Sequence, residues 1–162
     1  LPERWGREEN LSTAALVTVD SKNFGRITVP EDALINFPAG LFGMGQLHAF
    51  GLLEDPRTAP LSVLQCLDDP RHCLVVAEPA QINPEFRLGA LSGALKDLEA
   101  GSVQDLKALA ILTIPADRPG ETTANLQAPL LINPKLRRGK QVILEGPQYS
   151  YQYPITFPRR RS

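Results

Sequence analysis

The densest grouping of chemically versatile side chains is CLDDPRHC, where Cys66, Asp68, Asp69, His72 and Cys73 fall within one short stretch. Thiol, imidazole and carboxylate are the groups that ligate zinc, and a pair of thiols is the minimum for disulfide redox chemistry. Asp69-Pro70 is turn chemistry, so the flanking strands are expected to fold back as a hairpin and bring Cys66, Cys73, His72 and Asp68 near one another. A metal would need further ligands converging from elsewhere, and adjacent carboxylates on a turn are ordinarily solvated. The first reading is therefore structural thiols in a reducing compartment, with a redox pair and a metal site as lesser alternatives. Zinc analysis of the purified protein separates the last of these.

Other chemistries find little to work with. The chain has two histidines, His48 and His72, and lacks HExxH, CxxC, G-x-S-x-G and a P-loop Lys-Ser/Thr. The glycines of PAGLFGMGQLH imitate a phosphate loop only in part. Gly43-x-Gly45 has His48 where a third glycine would stand, and no βαβ unit follows. A glycine-rich loop rounding a barrel corner accounts for it. Nucleic-acid binding calls for aromatic platforms beside basic residues. The basic cluster Lys135, Arg137, Arg138 and Lys140 contains no aromatic. Tyr149, Tyr151 and Tyr153 alternate and are expected to share one face of a terminal strand, packing over the barrel edge. Arg159 to Arg161 read as a solvated end, with an acidic or nucleic-acid contact as the alternative.

The elements that carry these groups are short. Fifteen prolines, about twice average usage, recur at intervals that leave little room for long helices. Between them lie AALVTVD, RITV, ALINF, FGLL, LSVLQCL, CLVVAE, LKALAILTI, PLLIN and KQVILE, apolar or β-branched runs ended by Pro, Asp, Asn or Gly, and each reads as a strand. Phe24-Gly25 suits a tight hairpin turn. Ala90–Gly101 places Leu91, Leu95 and Leu98 at helical spacing and ends on glycine, so one amphipathic helix is expected there. Met44–His48 is expected to form a short helical turn. INPEFRLG and INPKLRRG share I-N-P-x-x-R-x-G and read as one turn solution used twice. The expected architecture is all-β and mainly antiparallel: a small barrel or sandwich over residues 12–155, with a flexible tail at 1–11 and a basic tail at 156–162.

Composition bounds the rest. A chain of 162 residues, 43% hydrophobic and 22% charged, suits a single folded domain and excludes disorder and collagen. No apolar run approaches the roughly 18 residues of a membrane helix. Two cysteines are too few for a disulfide scaffold, and the charged opening LPERWGREEN shows no secretory signal, so a cytoplasmic location is expected. The net charge of −1 conceals a polarised chain: residues 20–105 carry 12 acids against 6 bases, and residues 106–162 carry 3 against 9.

The order of motifs carries more. Phe24-Gly25, INFPAGLFG (Ile35–Gly43), FGLL (Phe50–Leu53), LQCLDDP (Leu64–Pro70), LVVAEP (Leu74–Pro79), TANLQAPLLIN (Thr123–Asn133) and GKQVILE (Gly139–Glu145) together resemble the FliW family of flagellar assembly factors, from about Val17 to Ile155. The resemblance implies a compact β-barrel-like protein without catalytic group, metal or cofactor, monomeric when free. It implies binding to CsrA, a small dimeric RNA-binding repressor, at a surface distinct from the RNA site. It also implies binding to flagellin, which competes and so couples flagellin translation to secretion. Candidate contact residues are Phe42, Met44, Asp68, Asp69, Asn125 and Gln127, and the acidic segment 20–105, with Glu54 and Asp55, would complement a basic partner. This sequence departs from the pattern at Met44-Gly45, where an aromatic-acid pair is more typical, at Leu61 and Val63, which replace aromatics, and at Cys66 and Cys73, which replace small residues. The alternative is a small barrel that binds nucleic acid directly through its basic C-terminal half.

Overall fold

A computed structural model describes residues 16–21, 25–89 and 91–155. Six strands run as an antiparallel meander: β3 (Leu34–Asn36), β4 (Ala49–Glu54), β5 (Ser62–Cys66), β6 (Cys73–Ala77), β7 (Lys107–Thr113) and β8 (Thr123–Asn133). A seventh, β9 (Arg138–Gln141), turns back against the end of β8 and then meets β3 in parallel, closing the sheet into a seven-stranded barrel. Closure leaves none of the seven with a bare edge, the usual hazard of an open antiparallel sheet. Strand β10 (Tyr153–Pro154) adds to the start of β8, and β1 (Leu16–Ser21) with β2 (Gly25–Pro30) forms a separate hairpin.

The apolar runs that read as strands are buried on both sides where the barrel is covered outside. Leu109, Leu130 and Val76 point into the barrel core with Phe37, Phe50 and Leu64, whereas their neighbours Ala110, Leu131 and Ala77 belong to an outer layer with Phe86, Leu98 and Leu126. That is why PLLI lacks alternation: a strand buried on two faces reads as a continuous apolar run. Phe37 and Phe50 meet edge to face at 5.4 Å. The β1–β2 hairpin packs Val19, Ile27 and Val29 against Leu53, and Ser21 Oγ donates to the buried Gln65 Oε1 at 2.7 Å.

The repeated I-N-P turns share a mechanism. Asn83 Oδ1 accepts the Glu85 N–H, and Asn133 Oδ1 accepts the N–H groups of Lys135 and Leu136, so both asparagines close Asx turns. The strand expected over LKALAILTI is β7. Four expectations need correction. KQVILE is a strand only to Gln141; beyond it Val142 and Leu144 donate to the carbonyls of Pro129 and Gln127 without a regular ladder. The helix expected over Ala90–Gly101 is α2 (Ser92–Asp97), capped at Leu98 and closed by Glu99, not Gly101. Glu99 takes φ +53°, with its N–H on Lys96 O and the Ala100 N–H on Leu95 O, a closing arrangement that glycine usually supplies. Met44–His48 is not helical: a Leu41–Met44 bridge and turns occupy it. The three tyrosines do not share a strand face. Tyr149 packs on Phe86 and donates to Arg87 O, Tyr153 is half-buried, and Tyr151 stands exposed at a turn. The tails expected at 1–11 and 156–162, and Phe24, lie outside the described residues.

The closing seam is tight. Asn36 pairs with Arg138, and the Phe37 ring lies where a side chain at position 139 would have to go. A Cβ on Gly139 would overlap ring carbons Cε2 and Cζ of Phe37. Gly139→Ala is therefore expected to cost about 1–3 kcal/mol of stability by overpacking. Gly89→Ala, where a Cβ meets nothing, should stay within about 0.5 kcal/mol of the parent. Urea denaturation of the two variants checks the contrast.

Candidate protein-interaction surface

The glycine-rich loop between β3 and β4 is pinned along its length. At its tip the Phe42 N–H donates to Gln141 Oε1 at 2.8 Å, while the Phe42 side chain remains 52% exposed. Met44 is half-buried against the barrel core, bridged to Leu41. At its end, one oxygen of Asp68 accepts the N–H groups of both His48 and Ala49, the latter at 2.8 Å. His48 in turn holds the loop's start, with Nδ1 2.9 Å from the Phe37 carbonyl.

A bend in β8 completes the arrangement. Asn125 Oδ1 accepts the N–H groups of Gln127 and Ala128, both at 3.0 Å, where the β7–β8 register shifts between Leu109 and Ile111. Side-chain oxygen replaces the missing ladder partner, the common use of asparagine at such irregularities. The Ala128 carbonyl then accepts from Gln141 Nε2 at 3.0 Å, and the other end of that amide holds Phe42. Asn125, Ala128, Gln141 and Phe42 form one continuous hydrogen-bonded chain. Four of the six sequence candidates (Phe42, Met44, Asn125 and Gln127) thus belong to one neighbourhood, and Asp68 fastens the far end of the same loop. Gln141, the hub, escaped the sequence reading because a glutamine in a strand carries no local signal.

Asp69 serves the turn instead. Its carboxylate takes Arg71 Nε at 3.0 Å and Nη2 at 2.8 Å, plus the Arg71 N–H. Asp55-Pro56-Arg57 repeats the device at the opposite end of β5, with Asp55 gripping the Arg57 side chain and N–H. The arginine side chain, then its N–H, holds each aspartate down to about 2. The acidic candidates Asp55, Asp68 and Asp69 are thus engaged within the chain.

The 66–73 hairpin forms and gathers part of the cluster, with the Asp69 N–H donating to Cys66 Sγ at 3.4 Å and His72 Nε2 3.6 Å from the Asp69 carboxylate, but it separates the two thiols. Cys73 pairs with Gln65, so the Cys66 and Cys73 side chains leave opposite faces of the sheet, and neither is in a disulfide. Burial pushes the Cys66 thiol up, away from thiolate reactivity. Among the described residues no group of three or more His, Cys, Asp or Glu is placed to hold a metal. No helix among them is long and apolar enough to cross a membrane.

The charge split is undone in space. Arg138 pairs with Glu99, Lys140 with Asp97 at 3.3 Å, and Lys107 with Glu54 at 3.4 Å, so bases of the C-terminal segment meet acids of the preceding one. Two of the four cations in the 135–140 cluster are thereby committed.

Two outcomes are expected from these contacts. Asp68→Ala strands two backbone N–H groups at an exposed edge and should cost about 1 kcal/mol, read by chemical denaturation. For Asp69 the folded-state pKa lies below the ordinary value of about 4, so its contribution is present above that value and lost as pH falls toward 2. The melting-temperature gap between the parent and Asp69→Asn should therefore persist at pH 5 and shrink between pH 4 and 2.

Comparison with known proteins accounts for this geometry. The family model described as FliW protein matches residues 18–155. The flagellar assembly factor FliW of Thermotoga petrophila is 31% identical over 138 residues, covering 85% of this chain and 93% of that protein. Its counterpart from Thermoanaerobacter pseudethanolicus is 33% identical over 138 residues, covering 85% and 91%. A crystal structure of the flagellar assembly factor FliW superimposes with a TM-score of 0.78 at 33% identity, covering 90% of this chain and all of that one. Agreement of sequence and barrel over nearly the whole described length means that this chain belongs to the FliW family of flagellar assembly factors.

Proposed function

We propose that this chain is a non-enzymatic cytoplasmic regulator that binds the repressor CsrA away from its RNA site and binds flagellin in competition with it. Family membership over residues 18–155 is the observation that carries the reading. A switch of this kind needs two partners whose binding to one protein is mutually exclusive, and each then weakens the other by the same factor. It needs no activated nucleophile. What it does need is a rigid, partly apolar surface that loses little freedom on binding.

The pinned loop fits that requirement. Phe42 presents an exposed ring on backbone fixed by Gln141, with Met44 half-buried in the same loop and Gln127 half-buried on the adjoining β8 bend. Asp68 and Asn125 act here by position, holding the loop and the bend. Asp69 holds the β5–β6 turn that carries Asp68. The basic C-terminal half gives less support to direct RNA binding, since Arg138 and Lys140 face carboxylates of their own chain.

Purified protein mixed separately with CsrA, flagellin and RNA, and analysed by co-elution at two salt concentrations, tests the reading. Binding to both proteins and competition between them are expected. Salt-sensitive RNA binding without protein binding would overturn it. Phe42→Ala should weaken at least one protein partner by about tenfold or more, as loss of a central aromatic contact does, with the melting temperature unchanged.

A further inference from the structure

Closure covers β9 where it meets β3, but the chain runs on beyond that seam, which is registered at Asn36 and Arg138 alone. The register of β9 on β8 sets Gln141 opposite Leu130. Val142 then donates to the Pro129 carbonyl at 3.1 Å and Leu144 to the Gln127 carbonyl at 2.7 Å, so the same register continues to Leu144. Only half of that ladder is made. Pro129 has no N–H to return, and the Gln127 N–H is taken by Asn125 Oδ1. Residues 142–144 are extended chain held from one side.

In extended chain, successive residues turn their N–H and C=O groups to opposite sides. Those of Val142 and Leu144 face β8, so those of Ile143 and Glu145 face away from it. Among the described residues no protein group bonds to the backbone of either. Gly146, at φ +131°, begins a turn in which the Tyr149 N–H donates to its carbonyl, so the open edge is these two residues. Native edges are ordinarily blunted by lysine, proline or a bulge. This one carries Ile143, 62% exposed, and no such device ahead of Pro147. Ile143 lies two residues past Gln141, on the same face of the strand, and Gln141 holds Phe42. The exposed ring of the loop and the open edge are therefore neighbours.

We propose that the Ile143–Glu145 edge takes up an extended segment of a protein partner as an added antiparallel strand, with an apolar residue opposite Ile143 and a basic one opposite Glu145. Alternating unpaired donors and acceptors are matched by extended backbone and not by a helix, whose own groups are bonded internally. Antiparallel pairing is the more stable direction per residue, and it sets the basic residue two positions before the apolar one. Glu145 is exposed and has no ion pair among the described residues, which leaves its carboxylate for that base. The proposal rests on the reading of this chain as a protein-binding regulator, and it adds to the Phe42 loop the class of segment received beside it.

The capped peptide Ac-Thr-Lys-Thr-Ile-Thr-NHMe, titrated into the isotopically labelled full chain, tests it. Saturable amide shifts are expected at Ile143 and Glu145. Hydrogen exchange at those two amides should be fast in the free protein and slow with peptide, whereas Val142 and Leu144 should be protected throughout. N-methylation of the peptide's Lys and Ile nitrogens, which face the edge, should weaken binding about tenfold or more. N-methylation of its central Thr, which faces away, should not. Ile143→Pro removes an N–H that β8 does not use, so it should keep the fold, checked by melting temperature, and lose the peptide. The two methylated peptides decide the matter even if that variant does not fold. Absence of shifts at these amides, the same affinity for both methylated peptides, or unchanged affinity in folded Ile143→Pro would each overturn the edge. So would protection of the Ile143 and Glu145 amides in the free protein. Protection that grows with protein concentration makes a second copy the occupant, and protection that does not makes it the chain itself. These titrations contain no CsrA or flagellin. A chain that binds the peptide but neither protein would refute the proposed function and leave the edge standing, and the reverse pattern would do the opposite.

Discussion

The fold turns on one close approach, the Phe37 ring lying over Gly139. A meander of six antiparallel strands has two free edges, and a seventh strand placed between them has to run antiparallel to one and parallel to the other. Strand β9 does this through a short seam, registered by Asn36 opposite Arg138. Only a residue without a side chain at position 139 lets Phe37 reach the barrel axis and stack edge to face on Phe50. The barrel closes at that contact, and the loop after β3 starts from it.

The candidate interaction surface is largely a by-product of backbone satisfaction. The bend in β8 interrupts the ladder, Asn125 repairs it, and the repaired segment offers the Ala128 carbonyl to Gln141. Gln141 spends its remaining acceptor on Phe42. Each step removes an unpaired polar group that burial would make costly, and the last one fixes an aromatic ring at the surface. Rigidity at the surface thus comes from the accounting of N–H and C=O groups in the wall beneath it.

Much of this was legible in the sequence, and the boundary of legibility has a physical reason. Strands announced themselves because proline and asparagine end them locally, and the I-N-P turns were readable because an asparagine side chain bonds its own neighbours. Glu99 was not foreseen as the residue that closes the helix, since a glutamate carries no local preference for a left-handed backbone. The tyrosine alternation misled because alternation has meaning only within a continuous strand. The segment charges of −6 and +6 implied a polarised surface, yet tertiary packing placed Lys107 of β7 beside Glu54 of β4, and Arg138 and Lys140 of β9 beside Glu99 and Asp97 at the end of α2. The hold of Gln141 on Phe42 depends on such a distant juxtaposition and left no local mark.

The hydrogen bond from Phe42 to Gln141 joins residues 99 positions apart. A ribosome that has just released the first four strands has already made the loop, the phenylalanine and the local contacts among Phe37, Leu41, Met44 and His48, but not the residue that holds the loop's tip. The fastening glutamine is translated near the end of the domain. A nascent chain therefore lacks the hold on Phe42 throughout most of its synthesis, and only one that has reached Gln141 has it. Truncated or stalled products would carry the aromatic ring and yet present it without a fixed frame, so the bond doubles as a certificate that the molecule offering its surface is complete.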